Sequence, residues 1–152
     1  MHKESILLLI GDGELRDELV KQAKEYGINE KVLFLGNRND VAELYNAMDI
    51  FVLPSFYEGL PLVGVECQVN GLPIVCSNNI TKEIMLSDVI KFLDLECSAM
   101  KWAKEIIGFY NNIKRNSNVN LDFNDYNIKF EAKKLENIYF KLIEKYYGGK
   151  YE

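Results

Sequence analysis

Histidine is almost missing from this sequence; His2 is the one example. That scarcity excludes Ser-His-Asp hydrolysis, Cys-His chemistry and a histidine-based zinc site, unless the terminus itself supplies the ring. Cysteine is nearly as scarce, with Cys67, Cys76 and Cys97 and no C-x-x-C pair. An odd set of that kind does not build a disulfide framework. All three lie among apolar neighbours, where a thiol serves as a small hydrophobe, and a reduced, cytoplasmic setting fits. There is no basic excess either: 18 Lys and Arg stand against 23 Asp and Glu, a formal charge of -5. No nucleic-acid partner is expected on that balance. No apolar run approaches the roughly eighteen residues of a membrane span. The start, MHKESILLLI, has neither the long apolar region nor the small-residue cleavage site of a signal peptide.

What is present is one domain's worth of chain, 152 residues of which 48% are hydrophobic and 27% charged, as expected of a soluble globular protein. Short apolar runs alternate with amphipathic ones. Ile6–Ile10 reads as a buried strand, closed by Gly11-Asp12-Gly13. Leu15, Leu19, Ala23 and Tyr26 recur at helical spacing, and Gly27 stops that helix. Val32–Leu35 is a second strand before Gly36. Asp40 is placed to cap a helix running to Met48, with Val41, Leu44, Tyr45 and Met48 inward. Ile50–Leu53, Ile74–Cys76 and Val89–Leu93 read as further strands. Trp102, Ile106, Tyr110 and Ile113 mark a helix with Trp102 in the core. Leu135, Ile138, Tyr139, Leu142 and Tyr146 mark a final one, with Lys129, Lys133, Lys134, Lys141 and Lys145 on its solvated face. Strand and helix in alternation predict an α/β, doubly wound parallel sheet, Rossmann-like. Residues 5–115 would form that domain. Residues 116–152 would be a polar linker and the C-terminal helix. In such sheets ligands meet the carboxyl ends of the strands. The loops that qualify are Gly11–Gly13, Gly36–Asn39 and Ser55–Pro61.

The chemistry concentrates in PSFYEGLPLVGVECQVNGLPIV, Pro54 to Val75, which holds two acids, Glu58 and Glu66. A helix apolar on nearly every side is expected to be buried, and a carboxylate on it needs partners. Between Arg38 and Lys82 there is no Lys, Arg or His. The donors to Glu66 would then be amides, hydroxyls from elsewhere in the fold, or the vicinal hydroxyls of a ribose. Pro61 suits the first position of the helix, and Gly59 admits a close ligand. The free amides of Leu62, Val63 and Gly64 would then form an anion site suited to a diphosphate. Taken singly, Glu66 also reads as a buried structural acid and Glu58 as an ordinary loop acid. Gly11-Asp12-Gly13 lacks the spacing of a dinucleotide fingerprint.

The succession GDGELR, VLFLG, DIFVLPSFYEGLPLVGVE and NGLPIVCSN resembles the C-terminal domain of retaining family-4 glycosyltransferases of the GT-B fold. The stretches ITKEI and VIKFLDLE with Trp102 resemble members that build bacterial capsular polysaccharides and exopolysaccharides. The likeness covers about residues 5–110. It implies that a nucleoside-diphosphate sugar is the donor substrate, with no cofactor and no metal. Glu58 matches the glutamate that holds hydroxyls of the donor sugar, and Glu66 the one that binds the ribose. Gly59, Leu60, Pro61, Leu62 and Val63 match the backbone that meets the diphosphate. Asn37 and Arg38 match the loop at the base, and Gly11 and Gly13 the first loop of the donor cleft. The resemblance also implies what is not here: an N-terminal acceptor domain, and the opening strand and helix with the Arg and Lys that hold the phosphates. The expectation is therefore a donor-binding fragment, inactive alone. Its parent would transfer sugar to a glycan or lipid-linked acceptor at the inner face of the membrane. Exposed apolar surface on such a fragment could drive self-association. The alternatives are a non-catalytic subunit of a split transferase and a sugar-nucleotide epimerase relative.

Overall fold

The computed structural model describes residues 5–113, 115 and 126–148; His2 and most of the expected polar linker lie outside them. The chain forms two compact units, Met1–Val119 and Asn120–Glu152.

In the first unit the elements run β1 (Leu7–Ile10), α1 (Arg16–Glu25), β2 (Val32–Gly36), α2 (Val41–Ala47), β3 (Phe51–Leu53), α3 (Leu62–Val69), β4 (Ile74–Ser77), β5 (Ile90–Leu93) and α4 (Ala99–Asn112). Every strand pairing is parallel, as the alternation of elements requires. The strands form two sheets and not the single one expected: β1 with β2, and β3–β4–β5 with β4 in the middle. Leu7 faces Val32, Phe51 faces Ile74, and Ile74 faces Ile90.

Burial divides along the same line. All four residues of β4 are buried, because both faces of a central parallel strand are covered. Ile74, Cys76, Ile80 and Ile84 form one core with Phe51, Leu53, Ile90 and Phe92 against it. Tyr45, Cys67 and Leu72 form a second, with Val41, Met48 and Phe51. Phe51 joins the two. By contrast β1 is not the buried strand expected from its apolar run. Leu7 is 50% exposed and Ile6, just before it, 61%. Ala23 is the one buried residue of α1, so little covers this part of the sheet. Trp102 is core as expected, its Nε1 donating to the Asp94 carbonyl at 2.9 Å.

The helix starts follow different rules from those read in the sequence. Asp40 does occupy the position before α2, yet its carboxylate makes no cap. It accepts Arg38 Nε at 2.7 Å and Arg38 Nη2 as well. A fork-shaped guanidinium two residues away outcompetes the backbone amides for those oxygens. Ser98 does cap α4, accepting from Lys101 N at 3.3 Å.

Two features fix α3 on the second sheet. A Cβ added to Gly64 would lie 2.2 Å from Ile84 Cδ1, so the helix approaches that side chain as closely as a bare backbone allows. Gln68, fully buried, donates to the carbonyls of Gly64 and Ile84 at 2.9 and 2.7 Å. Its Oε1 accepts Leu86 N, Ser87 N and Ser87 Oγ at 3.0, 3.1 and 2.9 Å.

The second unit contains α5 (Ile128–Tyr147), which has no buried residue. Asn127 caps it through Lys129 N at 3.1 Å. No helix among the described residues is long and apolar enough to cross a membrane.

Two outcomes follow from this packing. Gly64→Ala should destabilise the first unit by about 1–3 kcal/mol in urea titrations, because fully buried Ile84 has nowhere to move. All three cysteines are free. Burial pushes the Cys67 thiol up to about 12 and the Cys76 thiol up to about 11, while Cys97 is only half-buried. A maleimide at neutral pH should therefore label Cys97 first and reach Cys67 and Cys76 only after denaturation.

Candidate functional site

The site is built on turns at the carboxyl ends of the strands. After β1 the chain turns at Gly11, whose φ is +123°. Its amide donates to the carbonyl of Gly36, the last residue of β2, at 2.8 Å. Gly36 has φ +63°, so both residues of this tie adopt backbone that side-chain-bearing residues avoid. The bond brings two predicted loops together: Gly11 and Gly13 on one side, Asn37 and Arg38 on the other. All four are exposed. Asn37, Arg38, Asn39, Asp40 and Glu43 line an open recess of about 430 Å³. Within it the Arg38 guanidinium is engaged by Asp40, which is held below the usual carboxylate range by that hydrogen bond.

The second part follows β3. Pro54 ends the strand and the chain runs exposed through Phe56 and Tyr57, each 84% exposed. Glu58 is half-buried, and its Oε1 accepts the Ser55 hydroxyl at 3.0 Å. Gly59 and Leu60 are exposed, and Pro61 is buried. Pro61 does not open the helix as its residue type suggested; α3 begins one residue later, with Pro61 in the capping position and no side-chain cap. The Pro61 carbonyl takes Gly64 N at 2.9 Å. The free amides are thus those of Leu62 and Val63, and Gly64 is removed from the expected three. No acidic residue lies in this first turn, so the positive end of the helix dipole is unopposed there.

Glu66 departs most from expectation. It is exposed, not buried. The apolar character of α3 misleads because Leu62, Val63 and Val69 share the outer side with it, at 63%, 37% and 51% exposure. Its Oε2 accepts the Tyr45 hydroxyl at 2.8 Å. Among the described residues, Oε1 accepts no hydrogen bond. Tyr45 was read from the sequence only as an inward residue of α2; nothing in spacing pairs positions 45 and 66.

The structure therefore gathers the predicted residues into two groups. Gly11, Gly13, Asn37 and Arg38 are tied by the Gly11–Gly36 bond. Glu58 through Val63 and Glu66 are tied by the loop and first turns of α3. No hydrogen bond among the described residues joins the groups directly; α2, which starts beside the recess and carries Tyr45, connects them. Among the described residues no group of three or more His, Cys, Asp or Glu is placed to hold a metal. The amides of Leu62 and Val63 lie along the chain between Glu58 and Glu66, at the uncapped start of α3.

Comparison with known proteins agrees with the α/β frame. The family described as glycosyl transferases group 1 matches residues 1–123. EpsF of Bacillus subtilis (strain 168) is 40% identical over 101 residues, covering 66% of this chain and 26% of EpsF. The Escherichia coli UDP-Gal:alpha-D-GlcNAc-diphosphoundecaprenol alpha-1,3-galactosyltransferase is 41% identical over 76 residues, 49% of this chain and 20% of that enzyme. The chain thus spans about a quarter or less of these relatives. The crystal structure of Anabaena Alr3699/HepE in complex with UDP has a similar fold. Its TM-score is 0.64 at 22% identity, over 76% of this chain and 34% of that one.

Proposed function

The chain belongs to the group 1 glycosyl transferases, and from that premise we propose that it is the donor-binding part of a retaining, GT-B-type sugar transferase. The observation that carries this reading is the start of α3: two free amides with no side-chain cap, Glu58 before them and Glu66 four residues into the helix.

In this reading the diphosphate of a nucleoside-diphosphate sugar lies on the backbone of Gly59, Leu60, Pro61, Leu62 and Val63. The amides of Leu62 and Val63 and the helix dipole balance its charge. Glu66 accepts a ribose hydroxyl at Oε1. Glu58, steadied by Ser55 at 3.0 Å, accepts hydroxyls of the donor sugar and orients it for attack. The base lies against Asn37 and Arg38, and Gly11 and Gly13 leave the cleft open beside it. No metal is used: the amides do at the leaving diphosphate what a cation would do elsewhere.

The acceptor is a glycan or a lipid-linked saccharide, in the assembly of a bacterial surface polysaccharide. The E. coli relative, named for UDP-Gal and a diphosphoundecaprenol acceptor, supports a nucleoside-diphosphate sugar as donor and a lipid-linked acceptor. The reaction takes place in the cytoplasm, at the membrane face where such acceptors reside. The donor part works against an acceptor-binding domain. The apolar side chains left exposed on β1 (Leu7), on α1 (Leu19) and just before α1 (Leu15) support a neighbouring surface of that kind. By itself the chain transfers no sugar.

Titration calorimetry with nucleoside diphosphates and their sugars tests the two glutamates separately. Glu66→Gln should weaken binding of both ligand types by about 1.5–3 kcal/mol, the worth of a hydrogen bond to a charged group. Glu58→Gln should leave the nucleoside diphosphate unaffected and weaken only the sugar-bearing form. Both variants binding like the parent chain would refute the assignment.

A further inference from the structure

The side chain facing Glu66 has no part in the reading above. Tyr45 is 3% exposed and its ring packs with Cys67 and Leu72. It also meets Phe51 edge-on, with centroids 6.2 Å apart and planes at 80°. A ring held in this way has one place for its hydroxyl, and a buried phenol requires a partner there. That partner is Glu66 Oε2 at 2.8 Å. The helices carrying the two residues are joined again beyond the site. Asn70 Nδ2 donates to Asn46 Oδ1 at 3.2 Å. Arg115 Nη1 donates to the carbonyls of Asn46 and Met48 at 3.2 and 2.9 Å, and its Nη2 to Asn70.

We infer that Tyr45 is a positioning residue for Glu66, occupying Oε2 so that the carboxylate presents Oε1 to a ribose hydroxyl in one orientation. This rests on the reading of Glu66 given above. Glutamate has among the largest rotamer freedoms of any side chain, and on the exposed side of α3 nothing else among the described residues holds it. A neutral donor is suited to the task. A lysine or arginine would fix the carboxylate but also neutralise it, whereas a phenol leaves the negative charge for the ligand. Tyr45 remains a donor at every working pH, since burial and the Glu66 bond both push its ionisation above the usual phenol range.

The test compares uridine, adenosine and guanosine diphosphates with their 2′,3′-dideoxy counterparts, by calorimetry on the full chain. The ratio of the two affinities isolates the ribose contact. Tyr45→Phe keeps the ring and its edge contact with Phe51; circular dichroism and urea midpoints verify that each variant is folded. The parent should prefer the ribose form. Tyr45→Phe should reduce that preference roughly three- to tenfold, leaving dideoxy binding unchanged. Added to Glu66→Gln it should do little more, since both act on one contact. Asn46→Ala, which loosens the same helix pair away from the carboxylate, should keep the ratio. If Glu66→Gln lowers the ratio and Tyr45→Phe does not, or if Tyr45→Phe weakens both nucleotide types equally, the positioning role is overturned and the Glu66 reading stands. If the folded parent shows no ribose preference, or binds no nucleotide at millimolar concentration, the Glu66 reading itself fails and this inference with it.

Discussion

Everything proposed for this chain depends on where α3 lies, and one carboxamide sets that position. Gln68 is a neutral polar group with no solvent to turn to, and each of its atoms is matched. Its amine reaches two carbonyls, one within α3 and one at Ile84. Its oxygen takes two amides and a hydroxyl from residues 86 and 87. Each hydrogen of that amide nitrogen has one carbonyl, so losing either would leave a buried donor unsatisfied, and the arrangement tolerates little drift. The contact of Gly64 with Ile84 acts in the same place from the apolar side. Together they hold the inner side of α3 to the segment between β4 and β5, and the outer side, with Glu66, faces solvent.

This division explains why α3 is apolar and yet only half-buried. A helix that merely covered a sheet would have polar residues outside. Here Leu62, Val63 and Val69 lie outside with one acid among them. Phe56, Tyr57 and Leu60 extend the exposed apolar surface into the preceding loop. Apolar surface that folding leaves uncovered around a carboxylate and two free amides fits a ligand with both a charged centre and hydroxylated or aromatic flanks.

Much of the frame was legible because parallel strands announce themselves. Val32–Gly36, Phe51–Leu53 and Ile74–Ser77 are apolar runs ended by Gly, Pro or a polar turn, and each falls within a residue of its reading. What could not be read are choices between partners that pattern does not encode. Asp40 has the right position for a cap, but the decision lay with Arg38 two residues before it. Glu66 sits in an apolar helix, but its exposure depends on which side faces Gln68's network. Tyr45 and Glu66 meet 21 residues apart, through two helices whose packing only the fold defines. The exposure of β1 was hidden for a similar reason: a run such as Leu7–Ile10 states what the strand can bury, not what is there to cover it.

The scarcity of positive charge near the site also acquires a sense. The stretch from Asn39 to Thr81 contains no cation, and Arg115, brought to it from afar, goes to the wrong end for a phosphate. It meets the carbonyls of Asn46, Met48 and Asn70, where α2 and α3 finish and their dipoles are negative. A guanidinium there satisfies carbonyls the helices leave over and ties the two together. The opposite end of α3 keeps its amides bare and its positive potential intact. Charge on this part of the chain is thus spent on joining the far ends of α2 and α3, while in the proposed reading recognition of an anion falls to backbone. Backbone amides bind through direction more than through strength. A site built on them discriminates by geometry, and the orientation of Glu66 then matters more than the number of charges around it.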